Sequence, residues 1–498
     1  MILNAFKYSR FVSMKYVVMV VAVGALFTGA AQARLLGQLE FKPCELKAPR
    51  GGVLIEAECA QLTVLENSQA PQGRRLDLRI VLIPAKTSKP KSDPVVLLAG
   101  GPGQAASEAY PTAAAAFAPL RRERHVLLLD QRGTGKNNPL FCPFPDWKSP
   151  ASSSPELART MARDCRRDLE KKADLRFYTT SDYIRDLESV RAALGGPQFN
   201  LVGGSYGTRV ALEYLRRNPD ALRSVFIDSV APPELVFPQD HARNLEEALE
   251  RMSARCYKDA ACGKRYGDLL QTLRGFSERL RRKPEPVRYR HPLTNEWSRV
   301  DLTRDTLMLV MRMFSYAPES LSLLPLLIDR AASGEPEALM AQAELMMDWV
   351  SDALAHGMEL SVICAEDEPW LKLNPADAST LMGGEIVEFT KIQCAEWPRG
   401  EVPEDFKQPV MSDKPVLLLS GEFDPVTPPR YAAQVAKTLS NSRTLLAKGQ
   451  GHTPMGVGCM PRLLREFVDT LKPKELEAQC LEVLGDTPFF LGYEGPAP

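Results

Sequence analysis

Ser205, Asp424 and His452 have the residue types and the chain order of a nucleophile, an orienting acid and a general base. Such a set activates a serine hydroxyl for attack on a carbonyl carbon, because the imidazole removes the hydroxyl proton and the carboxylate holds the imidazole. Ser205 lies in the pentapeptide Gly-Gly-Ser-Tyr-Gly at 203–207, between a short apolar run and an amphipathic helical pattern. The order of strand, turn and helix predicts a strained turn that exposes the hydroxyl beside a helix N-terminus. A Gly-rich turn without chemistry is the alternative.

The predicted acid and base follow the last two apolar runs of the chain. Asp424 comes after the run 414–420 in a Pro-rich turn, which suits the acid that orients a histidine. Asp228 also ends an apolar run and is the competing acid, but we favour Asp424 because it follows the long insertion described below. Of the five histidines, only His452 follows Asp424, and it lies in the Gly-containing loop 448–454.

A Gly-Gly-Pro-Gly sequence at 100–103 follows another apolar run, 94–99. Its glycines let backbone N–H groups approach a ligand closely, whereas Pro102 has no N–H to donate. We expect the N–H groups of Gly101 and Tyr206 to form an oxyanion hole for a tetrahedral intermediate. A plain turn is the alternative.

The elements that would position these residues alternate between strands and helices. Alternating apolar and polar residues at 54–65 and 75–84 predict an antiparallel pair at the start of a sheet. Apolar runs predict strands near 94–99, 125–130, 199–202, 224–228 and 414–420, and a further strand is expected at 443–447. At the end of the strand near 125–130, an ion pair between Asp130 and Arg132 could shape the floor of the site, and a purely structural role of these residues is the favoured alternative. Apolar stripes from about 239 to 357 predict successive helices, which would form a cap inserted between two strands.

Residues 1–33 have the pattern of a secretory signal peptide. Three basic residues precede the apolar run 16–27, and Ala-Gln-Ala at 31–33 has the form of a cleavage site. An uncleaved membrane anchor is the alternative, although the run is short for a membrane span. A signal peptide indicates export only, to the periplasm or to the medium. The 498 residues include 62 Lys and Arg and 62 Asp and Glu, a balance that indicates neither nucleic acid nor an anionic membrane as a partner.

Ten cysteines follow the predicted signal peptide, and an even number in an exported protein predicts disulfides. A C-x-x-C pair is missing from the sequence, so zinc or thioredoxin-like chemistry is poorly supported. We expect five bridges between cysteines that are neighbours in the sequence: Cys44 with Cys59, Cys142 with Cys165, Cys256 with Cys262, Cys364 with Cys394, and Cys459 with Cys480.

Five motifs in this order resemble the α/β-hydrolase serine peptidases of the prolyl iminopeptidase and secreted tripeptidyl aminopeptidase family. They are Gly-Gly-Pro-Gly at 100–103, Asp-Gln-Arg-Gly-Thr-Gly at 130–135, Gly-Gly-Ser-Tyr-Gly at 203–207, Gly-Glu-Phe-Asp-Pro-Val-Thr-Pro at 421–428 and Gly-His-Thr at 451–453. The resemblance covers about residues 50–480. The cysteine-bearing segments 361–368 and 394–398 are more similar to the tripeptidyl branch, and Ala99 stands where many prolyl iminopeptidases have histidine.

The resemblance implies an α/β-hydrolase fold with a mostly parallel central sheet and an inserted helical cap. We divide the chain into the signal peptide 1–33, a first part of the hydrolase core at 34–231, the cap at 232–360 and the C-terminal part of the core at 361–498. The family implies hydrolysis of peptides from a free N-terminus, with acidic groups that receive the substrate ammonium. Glu366, Asp367 and Glu368 are candidates for this role. An exposed acidic loop is the alternative.

These patterns together predict an exported serine aminopeptidase that acts on short peptides through an acyl-enzyme and requires neither a metal nor an organic cofactor. An esterase or lactonase is the alternative within enzymes, because the same residues cleave esters and only the cap distinguishes the substrates. A secreted binding protein that retains the fold is the non-enzymatic alternative. It would lack part of the catalytic set, whereas every part of the set is present in this sequence.

Overall fold

A computed structural model describes residues 33–47, 54–143 and 154–496. The predicted signal peptide, 1–33, lies outside the described residues except for its last position.

Within the described ranges, twelve strands form one ten-stranded sheet and one two-stranded hairpin. The strands are β1 (Arg34–Leu36), β2 (Leu39–Leu46), β3 (Ile55–Leu65), β4 (Arg75–Ile83), β5 (Val95–Leu98), β6 (Val126–Leu129), β7 (Phe199–Gly204), β8 (Leu222–Asp228), β9 (Glu285–Arg290), β10 (Trp297–Leu302), β11 (Val416–Gly421) and β12 (Ser442–Ala447). The order in the large sheet is β1-β2-β3-β4-β6-β5-β7-β8-β11-β12. Pairing is antiparallel from β1 through β6 and parallel from β6 to β12.

The central parallel strands are the apolar runs of the sequence. Every residue of β5, β6, β7 and β11 is buried, as expected for strands covered by helices on both faces. Parallel strands end at the same edge of a sheet, so β5, β7, β8, β11 and β12 all deliver their following loops to one edge. These loops contain every residue of the predicted catalytic set and the predicted oxyanion donor Gly101, while the other predicted donor, Tyr206, begins the helix that follows β7.

The helices lie outside this sheet and in a long insertion between β8 and β11. They are α1 (Ala106–Phe117), α2 (Pro155–Leu169), α3 (Thr180–Ala193), α4 (Tyr206–Arg217), α5 (His241–Lys258), α6 (Ala260–Tyr266), α7 (Leu269–Arg282), α8 (Arg304–Phe314), α9 (Pro318–Leu321), α10 (Leu324–Ala332), α11 (Glu337–Ala353), α12 (His356–Glu366), α13 (Glu385–Glu396), α14 (Pro429–Ala436) and α15 (Met460–Thr470). In the ranges that the structure covers, none of these helices is long and apolar enough to cross a membrane.

The inserted segment has its own hydrophobic core, built mainly from α5–α11, and it is not entirely helical. The hairpin β9–β10 lies between two of the helices that the sequence predicts within 239–357, a strand pair that the sequence analysis does not include. Burial alternates along both strands: Val287 and Tyr289 of β9, with Val300 and Leu302 of β10, face the core of this segment. A period of two residues is the mark of a half-buried strand.

The core of the insertion ends before the sheet resumes. Its buried cluster runs from Leu245 to Ala343, with a few later residues, whereas Ala355 and Met358 pack into the cluster on the main sheet. The division of the chain at 231 and 360 stays a prediction.

All five predicted disulfides are formed, and they use all ten cysteines. Each bridge closes a loop of between 6 and 30 residues. Bridges of this kind typically stabilise a fold by about 2–4 kcal/mol each, chiefly by restricting the unfolded chain.

Candidate active site

Ser205 stands between β7 and α4 in an unusual backbone conformation, with φ 54° and ψ −123°. The flanking glycines are required because the turn is tight: a Cβ on Gly207 would lie 2.2 Å from the carbonyl oxygen of Leu98, and one on Gly203 would lie 2.5 Å from that of Gly207. The N–H of Ser205 donates to the carbonyl oxygen of Asp228 at 3.0 Å. The strained turn that the sequence predicts is therefore present, with its hydroxyl at the edge of the sheet.

His452 and Asp424 are in direct contact, with 2.8 Å between Nδ1 and Oδ2. The other oxygen of Asp424 accepts the N–H groups of Val426 and Thr427, and the Thr427 hydroxyl donates to Oδ2. The carboxylate is thus held on both oxygens and fixes the ring of His452. Ser205 Oγ and His452 form no hydrogen bond among the described residues. Contacts of this kind often shorten only when substrate binds.

Asp424 stays ionised although it is buried. Burial alone would raise its pKa, but the charge and hydrogen bond of His452, followed by the N–H groups of Thr427 and Val426, lower the pKa to about 2. An ionised carboxylate at this place favours the histidine tautomer that carries hydrogen on Nδ1, leaving Nε2 free to accept a proton.

The histidine loop, residues 448–455, is anchored on the end of β8. The N–H of Thr453 donates to Ser229 Oγ at 2.7 Å, and the N–H of Met455 donates to Asp228 Oδ2 at 2.8 Å. Asp228 therefore holds both loops: its carbonyl oxygen accepts from Ser205, and its carboxyl group accepts from the histidine loop. Asp228, the alternative acid, contacts the histidine loop through the N–H of Met455, whereas Asp424 contacts the ring of His452 itself.

Tyr316, two residues after the end of α8, contacts the predicted base from the inserted segment. Its carbonyl oxygen accepts the N–H of His452 at 2.7 Å, and the two rings pack edge to face with 5.0 Å between centroids. A Cβ on Gly451 would lie 2.2 Å from the same carbonyl oxygen, which explains the glycine before the histidine. Nothing in the sequence around Tyr316 indicates this contact, because it joins residues 136 positions apart.

The predicted oxyanion donors flank Ser205. A Cβ on Gly100 would lie 3.2 Å from Ser205 Cβ and 3.7 Å from its Oγ, so the loop at 100–103 passes directly beside the hydroxyl. Gly101 has φ +104°, a conformation that favours glycine, and Tyr206 is the first residue of α4. Within the described residues, the N–H groups of Gly101 and Tyr206 donate no hydrogen bond. Both are available to an incoming oxyanion, and the assignment remains a prediction.

A buried polar chain supports the turn from behind. Tyr206 Oη lies 2.7 Å from Thr180 Oγ1, and Thr180 donates its N–H and its hydroxyl to Glu366. Gln131 donates to Tyr206 Oη at 3.2 Å. Burial raises the pKa of Glu366 to about 7, although the charge of Arg209 and the N–H of Thr180 oppose that rise. Glu366 therefore supports Tyr206, the residue after Ser205, through Thr180.

The structure does not support the predicted ammonium-binding role of Glu366, Asp367 and Glu368. The side chains of Glu366 and Asp367 are at most 1% exposed, and Asp367 pairs with Arg209 and Lys407. The two cations balance the two carboxylates, so this cluster has no unpaired negative charge left for a substrate.

Glu368 is also engaged, because it pairs with Lys391 and Arg399. The alternative of an exposed acidic loop is also wrong for this segment, because Glu366 ends α12 and Asp367 is fully buried.

The predicted ion pair between Asp130 and Arg132 is not formed. Asp130 instead accepts the N–H and hydroxyl of Ser107, and its nearest cation is Arg79 at 3.6 Å. Arg132 pairs with Asp186 on α3. The two side chains of this loop therefore bind different helices: Asp130 binds Ser107 of α1, and Arg132 binds Asp186 of α3.

Taken together, the edge of the sheet holds a hydroxyl, an imidazole with its orienting carboxylate, and two free N–H donors. This arrangement is suited to acyl transfer through a covalent intermediate. In the parts of the chain that the structure covers, no group of three His, Cys, Asp or Glu side chains is placed to hold a metal ion.

The family model described as alpha/beta hydrolase fold matches residues 93–458. The chain belongs to this family. Serine protease Hip1 of Mycobacterium tuberculosis is 23% identical over 500 residues, which cover 91% of this chain and 93% of that protein. Tripeptidyl aminopeptidase of Streptomyces coelicolor is 28% identical over 195 residues, 35% of either chain. Proline iminopeptidase of Arabidopsis thaliana is 30% identical over 147 residues, 28% of this chain and 29% of that one.

These similarities and the sheet topology confirm the α/β-hydrolase fold predicted from the sequence. They also confirm the resemblance to hydrolases named as peptidases.

Proposed function

We propose that the protein is an exported serine exopeptidase that hydrolyses short peptides from a free N-terminus through an acyl-enzyme. The observation that carries the proposal is the contact between His452 Nδ1 and Asp424, in a loop fastened beside the strained Ser205. The peptidase names of the similar proteins support cleavage of peptide bonds.

In the first half of the reaction, Ser205 Oγ attacks the carbonyl carbon while His452 Nε2 takes the hydroxyl proton. The N–H groups of Gly101 and Tyr206 stabilise the oxyanion, and the ionised Asp424 stabilises the imidazolium. His452 then gives the proton to the leaving amine, and the acyl group remains on Ser205. In the second half, His452 takes a proton from water, which hydrolyses the acyl-enzyme and restores the serine.

The inserted segment supports a preference for chain ends. Tyr316 packs on the ring of His452, and its carbonyl oxygen holds the backbone of the same residue. A segment in this position restricts how a long polypeptide can pass Ser205, whereas a short peptide has only its own length to accommodate.

Export is supported by the five disulfides, because such bridges persist in oxidising compartments and are rare in the cytosol. The signal-peptide pattern at 1–33 also supports export.

The proposal is tested with mature protein on chromogenic anilides of Ala, Pro, dipeptides and tripeptides, each with a free or an acetylated N-terminus, alongside simple esters. We expect cleavage of the free anilides only, and loss of at least a thousandfold in kcat for Ser205→Ala. Ser189→Ala, which removes an exposed hydroxyl from α3, is the matched control and should retain full activity. Turnover of esters with silent anilides would replace the proposal by the esterase or lactonase alternative.

A further inference from the structure

The hairpin β9–β10 has one face that the rest of the described chain does not cover. Its inward side chains pack into the core of the inserted segment, whereas Arg288, Arg290, Trp297 and Arg299 alternate with them and are exposed. Arg290 lies opposite Trp297 across the two strands, and Arg288 lies opposite Arg299. These four side chains form one continuous surface, the outer face of the hairpin, and three of them are cations.

Trp297 lies at the centre of the outer face, and its side chain is 53% exposed. The guanidinium carbon of Arg288 is 4.1 Å from the centroid of the indole, and that of Arg290 is 4.4 Å from it. Stacking on an aromatic ring holds a guanidinium in place through cation–π attraction and leaves the N–H groups at its edge available. One of these groups is used, because Arg290 Nη1 donates to the carbonyl oxygen of Asn295 at 2.9 Å. The outer face thus presents an indole and ordered guanidinium donors to solvent.

The three arginines of the outer face have no carboxylate partner. None of them forms an ion pair with another residue that the structure describes. The arginines at the end of α7, the preceding element of the chain, are all neutralised: Arg279 pairs with Glu285, and Arg281 and Arg282 pair with Glu278. The positive charge of the inserted segment is therefore uncompensated at the hairpin and not on the neighbouring helix.

The arrangement of charges on the outer face is unfavourable unless an anion is bound. Arg288 and Arg299 are directly opposite, and like charges in this position destabilise a strand pair. The acidic residues of the hairpin do not lie between them. Asp301 is at the end of the face far from the turn, and Glu296 lies on the other face because side chains alternate along a strand. An anion between the two guanidinium groups would remove their repulsion, so charge complementarity selects an anionic partner.

The turn of the hairpin, residues 291–296, adds an apolar group to this surface. Leu293 is 64% exposed in the turn, Trp297 follows it, and the opposed pair of arginines lies farther from the tip. An apolar tip, then an aromatic ring and then cations match the order of acyl chains, headgroups and phosphates across a membrane interface. An acidic protein would pair with the arginines but would give the exposed leucine no contact of its own kind. The order along the hairpin therefore favours a lipid surface.

We propose that the outer face of the hairpin, together with Leu293, docks on a membrane surface that contains anionic phospholipids. The arginines bind lipid phosphates, and the leucine and the indole enter the interface. The docking is peripheral and is independent of the proposed peptidase function. The charge balance of the whole chain, 62 basic and 62 acidic residues, does not reveal this partner because the cluster is local.

The proposal is tested by sedimenting the mature protein, which lacks the apolar run 16–27, with phosphatidylcholine vesicles that contain or lack phosphatidylglycerol. We expect the partition coefficient to be about tenfold or more higher with phosphatidylglycerol and to fall as salt is added. Arg288→Gln with Arg299→Gln should remove most of this difference, and Trp297→Ala should weaken binding to the anionic vesicles. The matched control, Arg167→Gln with Arg462→Gln, removes the same charge from exposed positions of α2 and α15 and should bind as the wild type does.

A second measurement separates loss of binding from loss of structure. Arg299→Gln removes one of two opposed like charges, so its urea midpoint should equal or exceed that of the wild type while its binding to anionic vesicles falls. Hydrolysis of soluble anilides should be unchanged, because the outer face contributes no residue to the candidate active site. Equal binding to both kinds of vesicle, or wild-type binding by the variant that lacks both opposed arginines, would overturn the proposal. Binding to polyglutamate without binding to vesicles would also overturn it and would assign the outer face to an acidic protein.

Discussion

Asp228 and Asp424 are two buried aspartates at the ends of neighbouring parallel strands, and their surroundings push their pKa values in opposite directions. Asp424 faces His452 and accepts from three further donors, which lower its pKa to about 2. For Asp228, burial is the largest effect and raises the pKa well above its ordinary value, and the charge of Asp424 raises it further. Hydrogen bonds from Met455 and Ser229 lower the pKa only in part.

The opposite pKa shifts distinguish the roles of Asp228 and Asp424, although both residues follow apolar runs in the sequence. An ionised carboxylate can orient an imidazole and stabilise its positive charge, as the geometry of Asp424 allows. A neutral carboxyl group can only accept and donate hydrogen bonds, and Asp228 accepts from the histidine loop. The predictions below change one of these roles at a time.

Asp424→Asn is expected to have the largest effect. The amide can still accept the N–H groups of Val426 and Thr427, but it presents NH₂ to His452 and favours the wrong tautomer. We expect kcat for the best anilide to fall about ten-thousandfold, with an unchanged fold by circular dichroism. A variant that keeps more than a tenth of the activity would show that another group orients His452.

Glu366 extends the comparison to a third buried carboxyl group, which lies behind Tyr206 and the turn of Ser205. Its pKa of about 7 in the folded protein exceeds its value in the unfolded chain. The free energy of unfolding therefore falls as the pH rises from about 4.5 to 7, and it does not fall further above pH 7. Glu366→Gln should remove this loss, which corresponds to up to about 3 kcal/mol. Urea midpoints at pH 5 and pH 8 measure it. Glu337→Gln, at an exposed position of α11, should keep the wild-type difference between the two midpoints.

Asp228→Ala removes the acceptor of the Met455 N–H and leaves a buried donor unpaired, while the carbonyl oxygen that holds Ser205 remains. We expect about 1–3 kcal/mol of lost stability, measured from the urea midpoint. The loosened histidine loop should also lower kcat without a large change in KM. Wild-type stability and activity would show that Asp228 does not hold this loop.

Asp228→Asn is expected to have the smallest effect. The amide oxygen can accept the N–H of Met455, and the NH₂ replaces an oxygen, Oδ1, that has no partner among the described residues. We expect kcat within about threefold of the wild type and stability within about 1 kcal/mol. A loss as large as that of Asp424→Asn would mean that the charge of Asp228 takes part in catalysis.

Residues that act through local backbone geometry were predictable from the sequence. The turn at 203–207, the strand before it and the loop at 100–103 follow from apolar runs that end in glycine. The five disulfides were predictable as well, because each joins cysteines adjacent in the sequence order.

Residues that act across the fold were not predictable. Tyr316 reaches His452, and Arg312 reaches His241, from elements whose sequence shows only the apolar stripe of a helix. Glu366, Asp367 and Glu368 resemble a free acidic cluster in the sequence, yet their cations come from Arg209, Lys407 and other distant positions. Pairing of this kind depends on which surfaces meet, and composition does not contain that information.

The sequence by itself determined the strands that lead into the site, the strained serine turn and the chain order of Ser205, Asp424 and His452, because each depends on a few adjacent residues and their backbone preferences. Only the tertiary structure decided which aspartate contacts His452, that Asp228 holds two loops, and that the carboxylates at 366–368 are already paired. The physical reason is that burial and opposing charges set the state of a carboxyl group, and both are supplied by residues far away in the chain.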